Sequence, residues 1–143
     1  MDEPNQPFGV SGWPRLLLRA EGAALFILAC VLFDRVAETW WLFAIVFLVP
    51  DLSFLGYLGG PRTGAIVYNA AHTLLGPIAL ALLGFLLPAL ILVQIALIWT
   101  AHIGVDRALG MGLKYQAGFG FTHLGRLERA FSGVSLRRKR MGG

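Results

Sequence analysis

The chain is poor in charge. Only 14% of its 143 residues are Asp, Glu, Lys or Arg, where a soluble domain carries about 25%. That scarcity, with 57% hydrophobic residues, excludes an ordinary soluble globule and points to a membrane protein. Cysteine is all but absent: Cys30 stands alone, so an intrachain disulfide and a thiolate metal cluster are both excluded. Cys30 reads as a small packing residue within an apolar run. No aromatic-basic nucleic-acid motif accompanies the basic residues, so no nucleic-acid partner is expected. The N-terminus, Met1-Asp2-Glu3, is acidic, and no small-x-small cleavage site follows the first apolar run. That run is expected to be a retained helix.

The longest gap in charge organises the rest. From Thr63 to Val105 there is no Asp, Glu, Lys or Arg. As helix this stretch would run roughly 64 Å, about twice a bilayer core, so it must cross twice. Leu86-Leu87-Pro88 is the expected bend. Two further apolar runs precede it. The sequence therefore predicts an all-α integral membrane protein, a four-transmembrane-helix bundle with spans at 14–36, 40–58, 63–86 and 89–109. A loose N-terminus, 1–13, precedes the bundle, and a segment with a basic tail, 110–143, follows it. Pro50 is expected to bend the second span. Ala20, Gly22, Ala23 and Ala24 form a small-residue patch that lets another helix approach closely. The tryptophans read as interfacial belt residues. In the last segment Thr122 is expected to cap a short amphipathic helix with Leu124, Leu127 and Phe131 on one face, lying flat on the membrane surface.

Basic residues set the expected orientation. With four spans the termini share a side, and that side holds Arg15, Arg19, Arg62, Arg107, Lys114 and the run Arg137-Arg138-Lys139-Arg140, against Arg35 opposite. Both termini are expected in the cytoplasm, with the tail on anionic lipid head groups. A four-helix chain leaves little sheltered volume, so a homo-oligomer is a further expectation.

The few ionisable residues inside the spans fall at one depth. Counted from the cytoplasmic end, Glu21, Asp51, His72, His102 and Asp106 all lie within roughly 5–14 Å of the boundary. Such groups are costly at membrane depth and face the bundle interior with partners. His102 and Asp106 are four apart, as are Tyr68 and His72, while Asn69 and His72 are three apart, so each set shares a helix face. Three chemistries suit one shared polar site. Asp51, His72, His102 and Asp106 can bind a divalent metal (Zn, Mn or Fe), with Glu21 or Asp51 managing protons and Tyr68, Asn69 and His123 in supporting positions. His72 and His102 can clamp a haem. The same groups can form a proton or ion relay. A hydrogen-bonded knot that only fixes helix register is the bland alternative.

Leu18-Arg19-Ala20-Glu21-Gly22, Pro50-Asp51-Leu52-Ser53, Tyr68-Asn69 with His72, His102-Ile103-Gly104-Val105-Asp106-Arg107, and Gly112-Leu113-Lys114-Tyr115 with Thr122-His123-Leu124-Gly125 closely resemble a family of small bacterial membrane proteins known as a domain of unknown function, number 4260. The resemblance covers about residues 14 to 127 and implies the bacterial cytoplasmic membrane, with no activity attached. The order Pro-Asp, then His, then His-x-x-x-Asp is also similar to membrane-bound metal-dependent hydrolases. That resemblance implies a metal site at Asp51, His72, His102 and Asp106, and metal-assisted hydrolysis of a lipid or another membrane-embedded substrate. The chain departs from the hydrolase pattern at Asn69, where a histidine is expected.

Overall fold

In a computed structural model the chain is described over residues 9–37, 39–117 and 119–126. Four helical spans are long and apolar enough to cross a membrane: Gly12–Val36, Trp40–Gly59, Pro61–Leu86 and Leu90–Leu109. Their apolar side chains stay outside, as a lipid-facing bundle requires; Ile27, Leu28, Ile45, Leu55, Ile78 and Phe85 are all exposed.

Helix α1 (Gly12–Val36) packs along α5 (Leu90–Leu109). Two glycines make this approach possible. A Cβ on Gly22 would lie 2.8 Å from the Gly104 carbonyl oxygen, and a Cβ on Gly104 would lie 2.7 Å from the Phe26 nitrogen. The backbones therefore touch directly, the small-residue contact expected of Gly22. Polar side chains tie the ends. Arg19 Nε donates to the Ala108 carbonyl at 2.7 Å, satisfying one orphan acceptor at the end of α5. Gln94 does the same for α1, its amide donating to the Val36 carbonyl at 2.8 Å. Gly110 closes α5 in the left-handed region, with φ 88°.

The second span is two kinds of helix. Helix α2 (Trp40–Phe47) gives way to a 3₁₀ helix, Val49–Gly59. Pro50 has no N–H to continue the α ladder, and the chain tightens where the sequence suggests a bend. A 3₁₀ run of eleven residues is unusual. It is held by α3 (Pro61–His72) through close contacts: a Cβ on Gly56 would lie 2.7 Å from Val67 Cβ, and a Cβ on Gly64 would fall within the Tyr57 ring.

The third span is not one helix, as the spacing suggested. It breaks at Thr73–Leu74, so α3 ends at His72 and α4 (Leu75–Leu86) begins anew. Pro77 is the cause: it cannot donate to the Thr73 carbonyl four residues back, and its ring crowds that carbonyl. Thr73 turns extended, φ −84°, ψ 146°. The groups freed by the break find other partners. The Leu75 N–H meets Thr73 Oγ1 at 3.5 Å, and the Ala71 carbonyl accepts the Trp99 indole N–H at 2.6 Å. Trp99 is therefore not a belt residue; it seals the break from α5.

Beyond α5 the expected helix start at Thr122 is replaced by a small hairpin. β1 (Phe121–Thr122) pairs antiparallel with β2 (Gly125–Arg126). Thr122 Oγ1 donates to the Gly125 carbonyl at 2.7 Å, and Gly125 takes φ 108°, which a tight hairpin needs and a helix forbids. The remainder of the expected amphipathic helix and the basic run Arg137–Arg140 lie outside the described residues.

Candidate metal centre

Four side chains from three spans meet at one point. Asp51 comes from the start of the 3₁₀ helix, His72 from the last residue of α3, and His102 and Asp106 from consecutive turns of α5. One ligand atom of each lies within 4.8 Å of every other. His72 Nε2 stands 3.1 Å from His102 Nε2 and 3.3 Å from Asp106 Oδ2. His102 Nε2 stands 3.4 Å from Asp51 Oδ1 and 3.6 Å from Asp106 Oδ2. The longest of these pair distances is His72 Nε2 to Asp51 Oδ1, 4.0 Å.

His72 is held from behind. His72 Nδ1 lies 2.9 Å from the Tyr68 carbonyl, which only accepts, so Nδ1 carries the proton and the Nε2 lone pair is turned to the cluster. Tyr68 stacks on the His72 ring at 3.7 Å between centroids and 9° between planes, and its hydroxyl donates to Asp106 Oδ2 at 3.3 Å. Phe47 packs edge-on to His102 at 5.1 Å. His102 Nδ1 has no hydrogen-bond partner among the described residues. His72, His102 and Asp106 are nearly sealed, their side chains 3%, 2% and 9% exposed, while Asp51 is 41% exposed and marks the open side.

The arrangement can be compared with metal geometry. Tetrahedral bonds of about 2.0–2.1 Å separate ligand atoms by about 3.3–3.4 Å, and the pairwise distances above bracket that value. Two imidazoles and two carboxylates suit zinc, manganese or iron(II). A haem does not fit, because its macrocycle would have to pass between the two rings, where the Asp51 and Asp106 oxygens already stand.

The structure separates the other sequence candidates from this point. Glu21 is not in the cluster; it lines a different cavity of about 230 Å³ with Arg107 and His123. The reason is angular. α1 touches α5 through Gly22, and Glu21 sits one residue, about 100°, away from that face. His123 is likewise elsewhere. Its Nδ1 accepts the Leu113 N–H at 2.8 Å, and burial pushes its pKa below the usual histidine range, with Arg107 adding to the effect. Asn69 is occupied by the segment after α5: its amide donates to the Lys114 carbonyl at 2.8 Å and its Oδ1 accepts the Lys114 N–H at 2.7 Å. A residue spent on two backbone bonds is a clamp, and Asn69 is not among the four converging side chains.

Lys114 is the residue that sequence reasoning missed. It is 4% exposed, its ammonium donates to the Phe119 carbonyl at 3.0 Å, and it lies over the Phe119 and Tyr68 rings at 3.7 and 4.7 Å. Burial lowers its pKa to about 8, against a smaller upward pull from Asp106. No periodicity marks it, since it stands in a glycine-rich stretch; its only signal is a lone base between Leu113 and Tyr115.

Residues 15–127 match the family described as Domain of unknown function (DUF4260). The chain belongs to the DUF4260 family. No curated protein and no solved structure matches it. The DUF4260 match takes in every member of the His/Asp cluster and the four apolar helices from Arg15 onward.

Proposed function

We propose that this DUF4260 protein is a metal-dependent membrane protein whose centre is a single divalent ion (Zn, Mn or Fe) held by His72, His102, Asp106 and Asp51. One observation carries the reading: acceptor atoms converge with too few donors between them. His72 offers a bare Nε2 toward His102 Nε2 at 3.1 Å. A hydrogen-bonded knot would instead have His102 Nε2–H donate to that lone pair, one proton set among two carboxylates and a second imidazole. A cation in the middle satisfies all four atoms at once.

Uneven burial supports a catalytic rather than a closed site. Three ligands are sealed, whereas Asp51 is 41% exposed and stands farthest from His72. Asp51 would be the most accessible of the four residues holding the ion, and its carboxylate would be the one placed to take a proton from the open side. A metal there polarises a carbonyl or phosphoryl oxygen and acidifies bound water. We therefore favour hydrolysis of a lipid or another membrane-embedded substrate. The concentration of basic residues at Arg15, Arg19, Arg62, Arg107 and Lys114 supports a site in the cytoplasmic leaflet, with both termini inside.

The test is elemental analysis of protein purified without chelator. Wild type should carry a single equivalent of Zn, Mn or Fe, and His72→Ala and His102→Ala should lose it. Equal metal in those variants would end the proposal.

A further inference from the structure

The cavity of about 230 Å³ that Glu21 lines lies between α1, the break at Leu74, the last turn of α5 and the β1–β2 hairpin. No member of the His/Asp cluster borders it. Its wall is of two kinds. Leu18, Leu25, Leu74 and Leu124 are apolar, whereas Glu21, Arg107 and His123 bring a carboxylate, a guanidinium and an imidazole. Glu21 and Arg107 both belong to membrane-spanning segments, where an ionised side chain without a partner is costly.

The two charges do not satisfy each other. No ion pair closes between Glu21 and Arg107, and neither side chain has a hydrogen-bond partner among the described residues. Glu21 is exposed, and Arg107 and His123 are partly exposed, so all three can be reached. His123 adds a donor. Its Nδ1 accepts the Leu113 N–H, so the neutral ring carries its proton on Nε2, and burial favours the neutral ring. A guanidinium beside an N–H suits a phosphate oxygen. The carboxylate on the same wall penalises a purely anionic occupant and calls for a cation. An occupant that carries both signs meets both demands. A dry 150 Å³ cavity accepts benzene, so this space holds about nine heavy atoms, the size of a phosphoethanolamine group.

We propose that this cavity binds the phosphoethanolamine head group of a membrane phospholipid, with the phosphate on Arg107 and His123 Nε2–H and the primary ammonium on Glu21. Leu18, Leu25 and Leu74 cover the hydrocarbon that follows the phosphate. The ligand class is a zwitterionic aminophospholipid, not an anionic lipid. The seat does not rest on the metal-centre reading, since it needs no ion. Arg107 is the residue common to both regions, for it also borders the narrow space beside His72 and Asp106.

Native mass spectrometry of the full chain tests the seat. The protein is released from vesicles of equal phosphatidylethanolamine and phosphatidylglycerol, and the lipid that stays bound is identified and counted. A single phosphatidylethanolamine should be kept over phosphatidylglycerol by about tenfold or more, the worth of one charge-assisted hydrogen bond. The readout is a ratio within one sample, so a loss of folded protein does not imitate it. Glu21→Gln should remove the preference. Arg107→Gln should release both lipids, and Arg107→Lys, which keeps the charge, should restore part of the binding. Arg35→Gln, at the far end of α1, should keep the wild-type ratio. Soluble O-phosphoethanolamine should displace the lipid only in large excess, because it lacks the hydrocarbon that the leucines cover; displacement at equal concentration would transfer the site to a free phosphate ester. Equal retention of the two lipids by wild type, or a preference unchanged in Glu21→Gln, would overturn the proposal.

Discussion

Replacing Gly104 with alanine tests how helix packing positions the centre. The new Cβ would lie 2.7 Å from Phe26 N, 2.9 Å from Gly22 O and 3.1 Å from Phe26 Cα, all backbone atoms that cannot rotate away. Ordinary contact begins at 3.4 Å, so α1 and α5 must separate by the difference, 3.4 − 2.7, or 0.7 Å at that point. Overpacking of this kind costs about 1–3 kcal/mol. Gly104 also lies midway between His102 and Asp106 on α5. Metal–ligand distances tolerate only about ±0.2 Å, so the same displacement disturbs two of the four candidate ligands. Gly104→Ala should therefore lower the thermal transition in detergent, and it should weaken zinc binding about tenfold or more in a chelator competition. Gly120→Ala is the control, because nothing lies within 4 Å of a Cβ there. If Gly104→Ala matches Gly120→Ala in stability and zinc affinity, the direct backbone contact does not set the site.

Three other outcomes are expected. Asn69→Ala removes both bonds to the Lys114 backbone and should cost about 1–3 kcal/mol, with faster amide exchange over 111–117 and metal content unchanged; exchange equal to wild type would refute the clamp. Tyr68→Phe keeps the ring stacked on His72 but deletes the hydroxyl that reaches Asp106, so zinc affinity should fall by about tenfold while stability barely changes; wild-type affinity would show that hydroxyl to be idle. Lys114 binds its proton less tightly folded, at a pKa of about 8, than unfolded, at 10.5. Between those values the unfolded chain holds more protons, so this group makes stability rise with pH. The thermal transition of wild type should gain more between pH 7.5 and 10 than that of Lys114→Met, and parallel pH profiles would refute the assignment.

The contrast between Glu21 and His102 shows how far spacing reaches. Both stand at similar depth in the sequence reading, because a residue count along a helix gives height in the membrane directly. Depth does not fix rotation about the axis. Gly22 against Gly104 decides that rotation for α1, and it leaves Glu21 beside Arg107 and His123 instead of at the cluster. The break after His72 was similarly half visible. Pro77 is plain in the chain, but the obstruction acts four residues back at Thr73, and the partners that make the break tolerable, Trp99 above all, are distant in sequence.

By itself, the sequence determined what depends on local composition and period. The scarcity of charge set four apolar spans, Leu86-Leu87-Pro88 set the turn between the last two, and the i, i+4 spacing put His102 and Asp106 on one face. Only the tertiary structure decided which faces meet. It brought Asp51 to the histidines through the 3₁₀ helix, spent Asn69 on Lys114, and opened a cavity beside Glu21. The physical reason is that hydrophobicity fixes how deep a side chain sits, whereas close packing between helices fixes the direction in which it points.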